Sequence, residues 1–255
     1  MTYIIAGLVV GKQSQYKPLN NNILMAKFEK EENCNCCNLK FNIFRFLNEN
    51  ELEELNKDRF EVHFHKGETI FKQGGPLTHI ACVTNGMAKV YIEGENGKNI
   101  ILKIVRSGEM FGGPGFQVDN RHHFSVSALT DAKACFIDVQ AFENAVRNNS
   151  HFALEFVKHM NTATIYLYNK LQNLTQKQMH GRIADVLLYL ANRVYINGKF
   201  ETTLSRQDLA DMSAMTKESS IRILKELKDD KIISFEGNNF HILNPTQLEA
   251  ISKRG

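Results

Sequence analysis

Residues Leu204–Arg222 read LSRQDLADMSAMTKESSIR, and this stretch decides what the chain is built to meet. Ser205 followed three residues later by Asp208 is a capping pair in front of an apolar run. Leu209 and Met212 sit on one face of the helix that the pair opens. Ser213, Ala214 and Met215 interrupt the pattern, and Thr216 offers a hydroxyl to start a second helix. The spacing turns Ser220, Ile223, Leu224 and Leu227 inward. It leaves Lys217, Glu218, Ser219 and Arg222 on the outer, N-terminal side. Two short strands follow, Lys231–Phe235 and Asn239–Leu243, joined by a turn at Glu236-Gly237-Asn238. A helix-turn-helix followed by a hairpin wing presents the start of its second helix to a DNA major groove. Arg222 can donate two hydrogen bonds to guanine and Glu218 can accept one from cytosine. Ser205, Arg206 and Thr216 lie at helix starts, where phosphates bind.

Working outward, the 255 residues leave room for two domains. The net charge of +3 excludes a polycationic binder, so any nucleic-acid contact rests on a local patch. Neither a membrane-length apolar run nor a basic segment before Tyr3–Val10 is present, so the chain reads as cytoplasmic, without a membrane partner. Residues 1–33 read as a disordered extension, with Met25 resembling a natural start. Five cysteines in a cytoplasmic chain of this size read as reduced thiols or metal ligands.

Residues 34–148 read as a sensor domain. After a short helix capped at Asn48, with Leu52 and Leu55 inward, the period changes to two. Apolar segments at Val62–Phe64, Ile70–Phe71, Ile80–Val83, Val90–Ile92 and Ile100–Ile104 are punctuated by turn glycines, which predicts a small antiparallel roll. Residues 149–175 read as one long helix with a stripe of Phe156, Met160, Ala163, Leu167, Leu171 and Leu174, taken as a dimer interface. Residues 176–255 hold the winged helix-turn-helix, making the fold class α+β.

Several local matches carry a family resemblance. Phe71-Lys-Gln-Gly-Gly, Asn85-Gly86 with Lys89-Val-Tyr, Ser107-Gly-Glu-Met-Phe-Gly, Gly181-Arg-Ile-Ala, Leu204-Ser-Arg-Gln-Asp-Leu-Ala and Thr216-Lys-Glu-Ser-Ser-Ile-Arg occur in the order of the Crp/Fnr regulators of transcription. The chain resembles that family over roughly residues 34–250. The resemblance implies a homodimer coupled through the long helix, an effector sensed in the roll, a palindromic DNA site, RNA polymerase as partner and no enzymatic activity. It implies that Glu218 and Arg222 read bases, that Ser205, Arg206 and Thr216 hold phosphates, and that Lys217 does either. Ile221 stands where Fnr-like members carry serine, so the usual half-site is not carried over.

Three effectors are weighed. Cyclic AMP is disfavoured. The Arg-Ser pair that grips its phosphate is replaced by His122-His123, Arg121 lies one residue early, and the base-contacting hydroxyls become Leu167 and Tyr168, although Glu109 stays for a ribose. An iron–sulfur cluster would draw on Cys34, Cys36, Cys37 and Cys135, but the N-terminal spacing departs from the Fnr pattern. The preferred reading is a C-x-x-C remnant at Cys34 and Cys37, with Cys82 and Cys135 buried in strands. Haem would need an axial pair from His63, His65, His122, His123, His151 or His159, and the sequence favours none. The rival class is a binding module with a degenerate winged helix, regulating a partner protein. No nucleophile elbow, phosphate loop or metalloprotease spacing points to an enzyme.

Overall fold

The computed structural model describes residues 43–255. Helix α1, Glu49–Lys57, starts where the sequence caps it. The Asn48 side chain accepts from the Glu51 amide, and Glu51 accepts from the Asn48 amide in return. Leu55 is fully buried beneath it.

Eight strands then build the roll: β1 Phe60–Phe64, β2 Thr69–Phe71, β3 His79–Asn85, β4 Met87–Ile92, β5 Ile100–Arg106, β6 Met110–Phe111, β7 Ser125–Ala128 and β8 Ala132–Asp138. They form two antiparallel four-stranded sheets, ordered β1-β8-β3-β6 and β2-β7-β4-β5. Val62, Ala81, Val83, Val90, Val105, Phe111, Val126 and Ala134 fill the space between the sheets, as the period of two requires. The β3–β4 turn needs glycine. Gly86 sits at φ +77°, and a Cβ there would strike the Asp131 carbonyl and come within 2.8 Å of Thr130 Oγ1.

Helix α2, Val139–Asn148, is capped by Asp138, which accepts from the amides of Gln140 and Ala141. Helix α3, Ser150–Gln176, is 27 residues long, and α4, Met179–Tyr189, continues through a π-helical turn at Leu190–Val194. Strand β9, Lys199–Glu201, helices α5, Arg206–Met212, and α6, Lys217–Asp229, strands β10, Ile233–Glu236, and β11, Asn239–Ile242, and helix α7, Pro245–Arg254, complete the chain. The wing is a three-stranded sheet, β10-β11-β9, because β9 adds its Phe200 opposite Phe240. The sequence pattern showed only two of those strands.

The two halves share a core. Ile101, Ile104 and Leu129 of the roll pack in one cluster with Ile183, Leu187, Leu209 and Met212 of the C-terminal half. Among the described residues, no helix is long and apolar enough to cross a membrane.

Candidate DNA-binding interface and sensor site

Helix α5 begins with a reciprocal cap. Ser205 Oγ accepts from the Asp208 amide at 3.1 Å, and Asp208 Oδ2 accepts from the Ser205 amide at 2.8 Å and from Ser205 Oγ–H at 2.7 Å. Ser213 Oγ donates back to the Leu209 carbonyl at 2.8 Å, and Ala214, at φ +50°, makes the turn. Thr216 Oγ1 then accepts from the Ser219 amide at 3.2 Å to start α6. Ser220, Ile223, Leu224 and Leu227 are buried, while Lys217, Glu218 and Arg222 are exposed and Ser219 is half-buried. The expected outer face therefore exists, with two cations and one carboxylate at the N-terminal end of a 13-residue helix.

Two arginines have partners that the sequence did not announce. Arg222 donates to Glu226 at 2.8 Å, and the same carboxylate meets His180 Nε2 at 2.6 Å. The His180 hydrogen bond, assisted by Arg222, holds the Glu226 carboxyl below its ordinary range. To read a base, Arg222 must swing off this resting pair. Arg206 finds its partners on the wing. Its guanidinium lies over Phe235 and Phe240, 5.3 and 5.0 Å from the ring centres, and donates to the Gly237 carbonyl. In the free chain it holds the wing against α5. Burial also draws its pKa below the ordinary value.

The roll grips the same domain. Lys89 on β4 reaches Asp208 at 2.5 Å, with both side chains largely buried. Tyr189 on α4 accepts from the Ile104 amide at 3.0 Å, Tyr166 on α3 donates to the Leu102 carbonyl at 2.9 Å, and Arg106 donates to the Val194 carbonyl at 3.1 Å. Lys170 on α3 donates to the Met212 carbonyl at the end of α5 at 2.6 Å, and burial pulls its pKa down to about 8. These residues escaped the sequence reading. Lys89 and Asp208 are 119 positions apart, and no local pattern signals such a pair. A cleft of about 400 Å³ opens between the halves, lined by Lys66, Lys89, Ser127, Ser205 and Asn238 among others.

The residues nominated for an effector have separate partners. Glu109 faces Arg106 at 3.7 Å. Arg121 donates to the Gly74 carbonyl at 2.8 Å. His122 is buried and stacked on Phe71 with centroids 4.0 Å apart, its Nδ1 has no hydrogen-bond partner among the described residues, and burial lowers its pKa. Cys135 is buried, lies opposite Cys82 in the β3–β8 register, and its sulfur accepts from Arg59 at 3.3 Å. Cys34, Cys36 and Cys37 lie outside the described residues. Of the histidines, His63, His65, His123 and His151 are exposed and His159 is half-buried.

The stripe chosen on the long helix needs correction. Phe156 is buried within its own chain, edge-on to Phe116 and Phe142 at 5.5 and 5.1 Å. Met160 packs on the same cluster, and Leu174 lines a small cavity with Tyr166 and Tyr189. Ala163 is half-buried. Only Leu167 and Leu171 of that stripe face outward. Leu154, Val157, Ile165 and Tyr168 are exposed as well and form a second apolar row round the helix from them. The helix has two apolar faces, and its period alone did not say which one covers the roll.

Comparison with known proteins accounts for both halves. Residues 61–149 match the cyclic nucleotide-binding domain, and residues 181–251 match the Crp-like helix-turn-helix domain. The chain belongs to the Crp/Fnr family of transcription regulators. The transcriptional activator protein Anr of Pseudomonas protegens is 24% identical over 191 residues, covering 73% of this chain and 78% of that protein. The cAMP-activated global transcriptional regulator CRP of Salmonella typhimurium is 27% identical over 183 residues, covering 69% and 87%. FixK2 from Bradyrhizobium japonicum has the same fold, with a TM-score of 0.69 at 21% identity over 75% of this chain and 96% of that one. As in other Crp/Fnr proteins, the C-terminal half is a DNA-binding helix-turn-helix domain.

Proposed function

We propose that this protein is a dimeric, cytoplasmic, sequence-specific regulator whose two α6 helices read the halves of a palindromic DNA site, and whose roll senses an effector that sets their spacing. RNA polymerase is the partner through which it acts. The observation that carries the reading is α6 itself. Its inner face is buried in the domain core, and Lys217, Glu218 and Arg222 are left outward at its start. The exposed apolar side chains from Leu154 to Leu171 support the dimer, since a surface this apolar calls for a partner. The intact cap, turn and wing speak against a degenerate module acting on a partner protein.

The test is binding to a site selected from random duplexes. Arg222→Ala is expected to cost ~1–3 kcal/mol at that site and to relax specificity at one base pair. Arg206→Ala is expected to weaken all sequences alike, because it loosens the wing. Equal affinity of wild type and Arg222→Ala across the selected and scrambled sites would remove the base-reading role.

Cyclic AMP is not proposed as the effector. Arg121 is engaged with Gly74, His122 is stacked inside the roll, and Leu167 and Tyr168 are exposed on α3. Calorimetry is expected to show no binding tighter than about 0.1 mM, where only ~5 kcal/mol of affinity is available. Micromolar binding would overturn this. The iron–sulfur proposal is tested by the absorption spectrum of protein purified without oxygen: colour with stoichiometric iron and sulfide, lost in Cys135→Ser, supports it, and colourless protein counts against it.

A further inference from the structure

His63 lies in β1 and His65 follows that strand's last residue, Phe64, and the two imidazole centroids are 5.2 Å apart. β1 is the edge of its sheet and pairs with β8, placing Phe64 opposite Ala132. The residue before Ala132 is Asp131, in the turn from β7 to β8, and the register brings its carboxylate back over the end of β1. One ligand atom from each of His63, His65 and Asp131 lies within 4.8 Å of the other two, and all three side chains are exposed. The two rings are 5.2 Å apart at 63°, so they do not stack face to face. His65 Nδ1 is 3.7 Å from Asp131 Oδ1, an ion-pair distance when the ring is protonated and too long for a hydrogen bond.

The carboxylate is also oriented. Asp131 Oδ1 accepts from the Lys66 amide at 3.0 Å, which fixes its position relative to the segment carrying the histidines. The His65 amide donates to Glu68 Oε2 at 2.7 Å, which tightens the β1–β2 turn. Lys133, opposite His63 in the register, has Glu61 at 3.9 Å, a carboxylate that offsets its charge beside the cluster.

We infer that His63, His65 and Asp131 form a site for a divalent transition ion of the zinc class. Two imidazole nitrogens and one carboxylate oxygen suit zinc, cobalt, nickel or copper, and supply too few oxygens for calcium or magnesium. Bonds of ~2.0–2.1 Å set tetrahedral ligands ~3.3 Å apart, which side-chain rotation of exposed residues reaches from the present spacing. Water takes the remaining position. The site adjoins the junction between the domains: Lys66 and Gly67, which follow His65, line the cleft whose opposite wall includes Ser205 and Asp208. An ion here ties the β1–β2 turn to the β7–β8 turn at the edge of that cleft.

The experiment is a titration of the full chain with zinc(II), read by calorimetry and by imidazole ¹H–¹⁵N spectra, which report ring nitrogens and do not see thiol-bound ion. The expected result is a joint shift of the His63 and His65 ring signals with uptake of one equivalent. His63→Ala removes both that equivalent and the response of His65. Asp131→Asn weakens binding by at least ~10-fold, since loss of even an outer partner costs that much. His123→Ala, whose ring pairs with Asp119 at 3.0 Å instead, leaves the titration unchanged. Rings that do not respond to zinc, or a folded His63→Ala/His65→Ala double variant that still takes up the same equivalents, would overturn the site.

Discussion

Leu171→Glu is expected to convert the protein to a monomer and to abolish tight binding at a palindromic site. Leu171 is 61% exposed on α3 in the single chain, one turn from exposed Leu167 and three residues from exposed Tyr168. Burying such a side chain is worth ~1.5–3 kcal/mol, and a two-fold interface counts it once per protomer. In the proposed dimer, glutamate forfeits that term and brings a charge into an apolar seam. The dimer dissociation constant is expected to rise by at least ~100-fold, since each 1.4 kcal/mol is tenfold. Sedimentation at micromolar concentration checks the first part and gel shift on the selected site checks the second. Phe156→Ala provides the contrast. It empties a position in the cluster that α3 forms with α1, α2 and β3, and is expected to cost ~3–5 kcal/mol of folding stability in each chain rather than to act at the interface. A Leu171→Glu protein that remains dimeric would refute the assignment of this face.

Asp208→Ala is expected to cost ~2–4 kcal/mol of folding stability, the second large effect. One carboxylate closes the α5 cap and meets Lys89 from the roll, so its loss opens the helix and strands a half-buried ammonium. Burial alone would raise the Asp208 pKa, but hydrogen bonds from Lys89 and Ser205 outweigh it, and the net shift is downward. A depressed carboxylate contributes stability that is complete above its ordinary value near ~4 and is withdrawn as the pH falls below that toward the lowered value. Wild type is therefore expected to lose stability in that acid window, and Asp208→Ala to lose correspondingly less. Lys89→Met separates the terms, because it breaks the bond between the halves and keeps the cap. Urea titrations at neutral and acidic pH read all three, and a change of less than ~0.5 kcal/mol in Asp208→Ala would sink the argument.

Much of this protein is determined by short-range pattern. The cap at Ser205, the hydroxyl at Thr216 and the inward set Ser220, Ile223, Leu224 and Leu227 each follow from spacings of three or four residues within one continuous stretch, so the chain itself specifies the helix-turn-helix. The strands of the roll are legible for the same reason, through alternation of side chains and turns such as that at Gly86.

Tertiary structure decided what depends on distant partners. Both faces of α3 are apolar, and only packing of Phe156 against Phe116 and Phe142 shows that one of them belongs to the roll. Arg206 reads as a phosphate ligand, and only the folded wing shows the aromatic rings beneath its guanidinium. Arg121 and His122 both turn to the segment holding Phe71 and Gly74, far off in sequence, while Glu109 keeps its neighbour Arg106. His63, His65 and Asp131 are drawn together by the register of β1 on β8, which no periodicity within one strand can encode. A local pattern fixes which face of an element is apolar or polar. What that face meets is set by chain segments far away in sequence, and here those segments chose the role of each residue.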